Sequence, residues 1–309
     1  MTQGHPNRHH YIPVFYLKRW AGSDRRVCQF SEHMGEIVPN RRSPKATGFV
    51  DGLYKIEGLP EHLNQQVEKK FFQPADSMAA KALSMMESYG DNTKWDNKLR
   101  SAWTLFLISL LLRCPEDIDI FSKWWGGEFI QTDRESEQEY QKRRRDSDPV
   151  NFREYLTNRP ISEIEITKFR ILSNLIGTQE IGQTINNFNW HVVCFPPNCV
   201  PLMTSDRPII RTNGLMRPNG HLAIPIGPKR LFVATPDNNM SKYLQQAPLT
   251  QIAKEINQHV VRSAMRFSYA EDDKHLKFVA KNFGKLRQPR LINSIIKENE
   301  SIVPPINVG

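Results

Sequence analysis

Two adjacent histidines and a tyrosine near the N-terminus are the residues in this sequence best suited to chemistry. His9, His10 and Tyr11 come directly before Ile12 and Pro13. A histidine changes charge near neutral pH, so it can transfer a proton in a reaction or bind an anion. We predict that His10 and His9 are catalytic acid–base groups and that Tyr11 contributes to substrate binding. The alternative is that one histidine is hydrogen-bonded in the core and the other is solvated.

Pro13 divides this opening stretch into an extended part and a helical part. The residue before a proline is pushed towards an extended conformation, and proline itself fits the first turn of a helix. The sequence therefore predicts extended backbone over 9–12 and a short helix over 13–20. The histidines would then lie at the N-terminus of this helix, where free N–H groups and positive potential favour an anion.

A second polar segment, T-S-D-R-P at 204–208, lies between two predicted strands. We predict that Asp206 is a catalytic carboxylate that orients a histidine, and that Arg207 binds substrate. The alternative for Asp206 is an Asx-turn, in which its carboxylate accepts a backbone N–H two residues further on.

Two further polar residues lie on predicted helices. Arg113 stands near the end of an apolar helix that runs from about Asp96 to Cys114. We predict that Arg113 stabilises negative charge in the site, with capping of the last helical carbonyls as the alternative. Asn257, within a helix over about 250–264, is predicted to bind substrate; a hydrogen bond between two elements is its alternative use.

The sequence lacks a P-loop, a G-x-G-x-x-G fingerprint and an H-E-x-x-H motif. P-loop ATP hydrolysis, dinucleotide redox chemistry and zincin proteolysis are therefore disfavoured. His191, Asp206 and His221 could converge on a metal ion if their strands are neighbours, but their spacing does not require it. We predict no metal ligand, and the sequence identifies no cofactor.

The elements that must position these residues follow the order β, α, β. Alternating patterns over 25–31 and 36–38 predict a hairpin, 60–187 has helical periodicity almost throughout, and short strands return from Trp190. This layout predicts an α+β fold, with a small N-terminal β unit and a C-terminal antiparallel β region packed on a central helical bundle.

Three regions are expected within one compact unit. They are an N-terminal helix plus hairpin at 1–58, a helical bundle at 59–188, and a β-rich region at 189–309 with a late helix and a basic, irregular tail.

The net charge of +9 favours polyanionic partners, so we predict nucleic acid or a nucleotide; a solvated basic surface is the alternative. The longest apolar run, at 102–112, is too short to span a bilayer, and the first residues have no apolar signal core. We predict a cytoplasmic protein without a membrane partner. The oligomeric state is left open.

The opening pattern H-Y-x-P-x-x-Y-L-x-x-W, at residues 10–20, resembles the start of a bacterial and phage-associated family of unknown function. T-S-D-x-P at 204–208, I-P-x-x-P at 224–228, and Asn257 followed by R-F-x-Y-A at 266–270 are similar to later segments of that family. The resemblance covers about residues 9 to 270. It implies a relative without an assigned activity and loosely suggests phage defence.

The leading hypothesis is a nuclease or another phosphodiester or nucleotide hydrolase that uses His and Asp. The alternative is a non-enzymatic module that binds nucleic acid or protein. A weaker idea is a protein-partner site formed by Trp124, Trp125 and the methionine-rich helix around Met86.

Overall fold

The fold comes from a computed structural model, which describes residues 8–55, 59, 72–125, 134–211, 220–236, 242–244 and 246–302. All predicted site residues fall within these ranges. Parts of the predicted helical region, at 60–71 and 126–133, lie outside the described residues.

The chain is α+β, as predicted. Its described strands are β1 (Arg8–His10), β2 (Val27–His33), β3 (Glu36–Arg42), β4 (Phe49–Asp51), β5 (Asn189–Cys194), β6 (Thr204–Ser205), β7 (Ile210–Arg211), β8 (Leu222–Gly227), β9 (Arg230–Thr235) and β10 (Ser268–Ala270). Its described α-helices are α1 (Val14–Leu17), α2 (Gln73–Tyr89), α3 (Asn97–Leu112), α4 (Pro115–Trp124), α5 (Arg134–Arg143), α6 (Phe152–Thr157), α7 (Ile161–Ile176), α8 (Gln179–Asn186), α9 (Leu249–Ser263), α10 (Leu276–Asn282) and α11 (Leu291–Ile302).

The two β-rich ends of the chain share one antiparallel sheet. Its order is β3-β2-β10-β6, so the C-terminal strand β10 inserts between the N-terminal hairpin and β6. Tyr269 pairs with Gln29 on one side, and Ser268 pairs with Ser205 on the other. Because Asp206 directly follows β6, this pairing places it beside the backbone that leads into β10.

The other sheets are also antiparallel. One has the order β5-β9-β8-β7, and the two-stranded sheet β1-β4 carries the histidines. A shared apolar core joins both sheets to the helices: Trp103 on α3 packs edge-on against Phe232 on β9, with ring centroids 5.6 Å apart. Burial of such aromatic side chains stabilises the fold by about 1.5–3 kcal/mol each.

Helix α3 is the central helix, and its sequence explains both its ends. The Asp96 carboxylate accepts the N–H of Leu99 at 2.7 Å, which satisfies one of the free donors at the helix start. The helix ends at Leu112, shortly before Pro115 begins α4. Because α3 is apolar on nearly all sides, Arg113 at its C-terminal end is carried into the interior.

The short helix predicted over 13–20 forms as one α-helical turn, Val14–Leu17, followed by a 3-10 turn at Lys18–Trp20. The expectation of an irregular tail is wrong. The tail is not irregular, since α10 and α11 fold there and bury Val279 and Ile292. Of the helices that the structure describes, none has the length and apolar character needed to span a membrane.

Candidate functional site

Four polar side chains, His9, His10, Tyr11 and Arg113, form what we call the N-terminal polar site. Strand β1 holds the histidines by pairing His9 with Val50 and His10 with Phe49 on β4. Successive residues of a strand point to opposite faces. His9 is therefore buried, whereas His10 is half-buried.

His9 has a defined protonation pattern. Its Nδ1 accepts the backbone N–H of Tyr54 at 2.8 Å, and its ring stacks on the ring of Tyr54 with centroids 5.2 Å apart. Burial lowers the pKa of His9, and the nearby His10 lowers it further, against the opposing charge of Asp51. The neutral ring therefore carries its proton on Nε2, a buried donor without a hydrogen-bond partner among the described residues.

His10 is the member of the site that solvent can reach. Burial lowers the pKa of His10, and the positive charges of Arg113 and Arg8 add to this shift, although a hydrogen bond to the backbone of Lys45 opposes it. His10 is therefore neutral at pH 7. Within the described part of the chain, its Nε2 has no hydrogen-bond partner.

Arg113 is fully buried at the end of α3. Its Nη1 donates to the Asp76 carboxylate on α2 at 3.1 Å, and its guanidinium lies 5.7 Å from the ring centroids of both Phe72 and Phe106. The Nε and Nη2 groups have no hydrogen-bond acceptor among the described residues. A buried donor without a partner costs about 1–3 kcal/mol, so this arrangement needs an explanation.

The hydroxyl of Tyr11 is also buried without a hydrogen-bond partner in the described chain. Burial raises the pKa of Tyr11, and the charge of Asp206 raises it further. Asp206 thus acts electrostatically on the N-terminal polar site from its Tyr11 side.

Asp206 is fully occupied by backbone amides. Its Oδ1 accepts the N–H of Met265 at 2.9 Å, and its Oδ2 accepts those of Arg266 at 2.6 Å and Phe267 at 3.3 Å. Burial raises the pKa of Asp206 to about 6, and these hydrogen bonds oppose the rise. Among the described residues, no hydrogen bond joins Asp206 to His9 or His10, so an orienting effect on either histidine can only be indirect.

The Asx-turn interpretation of Asp206 is wrong, because the residue two positions further on is Pro208, which has no N–H, and the carboxylate accepts the amides before β10 instead. Ser205 forms the turn here, since its hydroxyl accepts the N–H of Arg207 at 3.2 Å.

Arg207 belongs to an ion cluster with Asp117 and Arg290. Its Nη1 lies 3.3 Å from Oδ2 of Asp117, a fully buried carboxylate on α4. Arg290, just before α11, donates to the other oxygen of Asp117 at 2.9 Å. The predicted substrate contact of Arg207 would require this ion pair to open.

Asn257 joins two elements. Its Oδ1 accepts the N–H of Met203 at 2.7 Å, and its Nδ2 donates to the carbonyl of Pro201 at 2.9 Å. This is the inter-element hydrogen bonding that the sequence left as the alternative.

The structure places His9, His10 and Tyr11 in sequence on one short segment, with electrostatic coupling of His10 to His9 and to Arg113, and of Tyr11 to Asp206. Sequence reasoning missed Asp76 and Asp117, the buried partners of the arginines. Both lie in the first turn of a helix, where an acidic residue is fully explained by the helix dipole, so the sequence carried no further signal.

The described residues do not support one alternative from the sequence and leave another as a prediction. No group of three or more His, Cys, Asp or Glu side chains there is arranged to hold a metal ion, so the His191, Asp206 and His221 cluster is not formed. Of the residues named for a protein-partner site, Met86 and Trp125 are buried and Trp124 is half-buried, so this site stays a prediction.

These features describe an α+β protein with a buried, donor-rich polar site at its N-terminal strand. The chain belongs to a family of proteins of unknown function, DUF4238, whose family model matches residues 8–274. This confirms the expectation of a family without an assigned activity over nearly the predicted span. No curated protein and no solved structure gives a significant match to the chain.

Proposed function

We propose that this protein is a phosphodiester or nucleotide hydrolase that works at the N-terminal polar site. The observation that supports this proposal is the set of buried donors without acceptors, on His9 Nε2 and on Arg113 Nε and Nη2. A phosphate group carries several strong acceptor oxygens, which these donors lack among the described residues. Its binding would remove the cost of leaving them unpaired.

His10 is the proposed general base. A histidine with a lowered pKa is neutral at pH 7 and can accept a proton from an attacking water through its nitrogen lone pair. The His10 side chain is half-buried and its Nε2 is buried in the free protein, so a substrate would have to open the site to reach this nitrogen. Nε2–H of His9 would donate a hydrogen bond to a phosphate oxygen, and His10 would return the proton that it takes from the water to the leaving oxygen.

Arg113 would stabilise the charge that develops on the phosphate oxygens. A fixed guanidinium in a buried site is effective because it does not have to reorient during the reaction. The Tyr11 hydroxyl supplies a further donor for substrate binding. Asp206 would support the site by holding the backbone at Met265–Phe267. Arg207 and Asn257, which the sequence predicts as substrate contacts, are engaged by Asp117 and by Met203 and Pro201, so this proposal gives them no contact with the substrate.

The test is a cleavage assay on RNA, single-stranded DNA, duplex DNA and a small phosphodiester such as bis(p-nitrophenyl) phosphate. Each would be run with EDTA, Mg²⁺ or Mn²⁺, on the wild type, His10→Ala and a control, Lys94→Ala, at an exposed residue outside the site. Loss of a general base should reduce the rate by about 10²–10⁴-fold, with the circular dichroism spectrum unchanged. Equal rates in the wild type and His10→Ala would contradict the proposal.

The second candidate is a non-enzymatic binding module. It is favoured by the same free donors together with the net charge of +9, because binding an anion needs no reaction. Salt-sensitive binding to nucleic acid without cleavage would select it.

We propose that the protein acts in phage defence, because its sequence resembles a phage-associated family. Plating efficiency of phages on cells with the wild-type gene, compared with the His10→Ala gene, tests this setting directly.

A further inference from the structure

A second positively charged feature lies outside the N-terminal polar site, in a groove between the first helical segment and the β8–β9 turn. The groove has a volume of about 400 Å³. Its lining residues are Lys18, Arg19, Glu87, Ile226, Gly227, Pro228, Lys229, Arg230 and Glu271. Four of them are cationic and two are carboxylates, so the groove carries net positive charge.

One ion pair in the groove is already closed. Arg19 binds both oxygens of Glu87, with its Nε and Nη2 each 2.7 Å from a carboxylate oxygen, and its Nη1 donates to the carbonyl of Phe15 at 2.6 Å. This bidentate geometry fixes Arg19 and neutralises Glu87. Three cations in the groove, Lys18, Lys229 and Arg230, therefore remain available to a ligand. The negative charge of Glu271 partly offsets their positive charge.

The remaining cations are not neutralised within the described part of the chain. Lys18 and Lys229 are exposed and make no ion pair with any described residue. The Nε of Arg230 is buried, and no described residue accepts a hydrogen bond from it. These three positions present donors and positive charge from two different elements to the same open space.

We infer that this groove binds the phosphate backbone of a nucleic acid. Lysine and arginine side chains on two facing elements are the groups that contact backbone phosphates, and such contacts carry no sequence information. The described lining includes no aromatic ring, so the groove offers no platform for base stacking. The inference rests on the proposed function for the class of ligand, and it adds a separate surface that would recruit a long substrate.

The test measures binding of labelled single-stranded RNA, single-stranded DNA and duplex DNA over a series of salt concentrations. The test variant is Lys18→Gln/Lys229→Gln, and the matched control is Lys94→Gln/Lys98→Gln, two exposed lysines outside the groove. We expect the groove variant to bind about tenfold more weakly at low salt. The slope of log K against log salt should fall by about 0.7 for each lysine that contacts a single-stranded phosphate. The control should bind as the wild type does.

A gain-of-affinity variant makes the test sharper. Glu271→Gln removes the unpaired carboxylate from the groove and should tighten binding by about twofold to fivefold, whereas Glu180→Gln, at an exposed residue on α8, should not. The inference is overturned if the wild type binds no nucleic acid, if both lysine variants bind equally, or if polyglutamate competes as well as unlabelled RNA and DNA.

Hydrolysis of bis(p-nitrophenyl) phosphate separates this inference from the proposed function, because a small diester does not need the groove. Lysine-dependent binding without diester hydrolysis would support the groove and reject the hydrolase. Diester hydrolysis with equal binding by both lysine variants would reject the groove and leave the hydrolase intact.

Discussion

Two buried polar regions lie side by side in this protein and differ in how their hydrogen bonds are satisfied. At the N-terminal polar site, polar atoms of His9, His10, Tyr11 and Arg113 lack hydrogen-bond partners among the described residues. Around Asp206, both carboxylate oxygens are used by three backbone amides. Residues of these types catalyse reactions in other proteins. The N-terminal polar site has hydrogen-bonding atoms left for a ligand, whereas the Asp206 carboxylate has none.

This difference indicates what each region does for the protein. The side chains of Asp206 and Asn257 replace backbone hydrogen bonds where strands end and connections begin, so they contribute to stability. The unpaired donors of the N-terminal polar site cost stability, and such groups persist in folded proteins mainly where a ligand or a reaction uses them. The comparison therefore predicts that substitutions in the two regions affect different properties.

The largest effect on stability is expected for Asp206→Ala. It leaves the amides of Met265, Arg266 and Phe267 buried without an acceptor, which should reduce the free energy of unfolding by at least about 3 kcal/mol. Asp206→Asn keeps one acceptor oxygen and should cost less. Urea denaturation gives both values. A loss below about 1 kcal/mol for Asp206→Ala would remove the distinction between the two regions.

Asn257 should show the next largest effect. Asn257→Ala removes the hydrogen bonds to Met203 and Pro201 and should cost about 2 kcal/mol. Asn257→Asp keeps the acceptor for Met203 but turns a carboxylate towards the Pro201 carbonyl, so it should be destabilising as well. Neither substitution should alter the rate of phosphodiester cleavage once the variant is folded. A folded Asn257→Ala protein without activity would instead place Asn257 in the substrate site.

The parts of the fold that depend on local pattern could be predicted from the sequence. The hairpin β2–β3 and helix α3 with its Asp96 cap are examples, because alternation, turn residues and capping act over a few positions. The insertion of β10 between β2 and β6 could not be predicted, since it pairs residues that are far apart in the chain. The tail helices were missed because the lysines and arginines over 274–290 dominated the interpretation of the tail, although Val279 and Ile292 are buried there.

The candidate site divides in the same way. His9, His10 and Arg113 were identified by residue type, and in the structure His10 is coupled electrostatically to both of the others. The role of Asp206 could not be predicted, because local turn chemistry explained the segment while the actual partners lie about sixty residues further on. Whether a buried polar group is satisfied depends on tertiary contacts, which a single sequence does not contain.

Two buried tyrosines on the same N-terminal segment offer a matched test. The Tyr16 hydroxyl lies 2.7 Å from Oγ1 of Thr204 and donates to the carbonyl of Pro225 at 2.8 Å, whereas the Tyr11 hydroxyl has no partner among the described residues. Tyr16→Phe should reduce the free energy of unfolding by about 1–2 kcal/mol. Tyr11→Phe should leave it unchanged or raise it by up to about 1 kcal/mol, because it removes an unsatisfied polar group. Equal losses would show that Tyr11 has a partner in the folded protein.

The smallest expected effect is the pH dependence that His10 contributes to stability. Its folded-state pKa lies below the usual value of 6.5, so on acidification the unfolded chain binds a proton before the folded one does. Stability should therefore fall as the pH drops below 6.5, until the lowered pKa is reached. Asp206 has the opposite sign, because its raised pKa reduces stability as the pH rises from about 4 to about 6.

His10→Gln, which cannot titrate, should flatten the curve of urea midpoint against pH between 5 and 7 relative to the wild type. An unchanged curve would mean that the ring of His10 titrates as it does in the unfolded chain. A ligand site at His10 would then lose its electrostatic support.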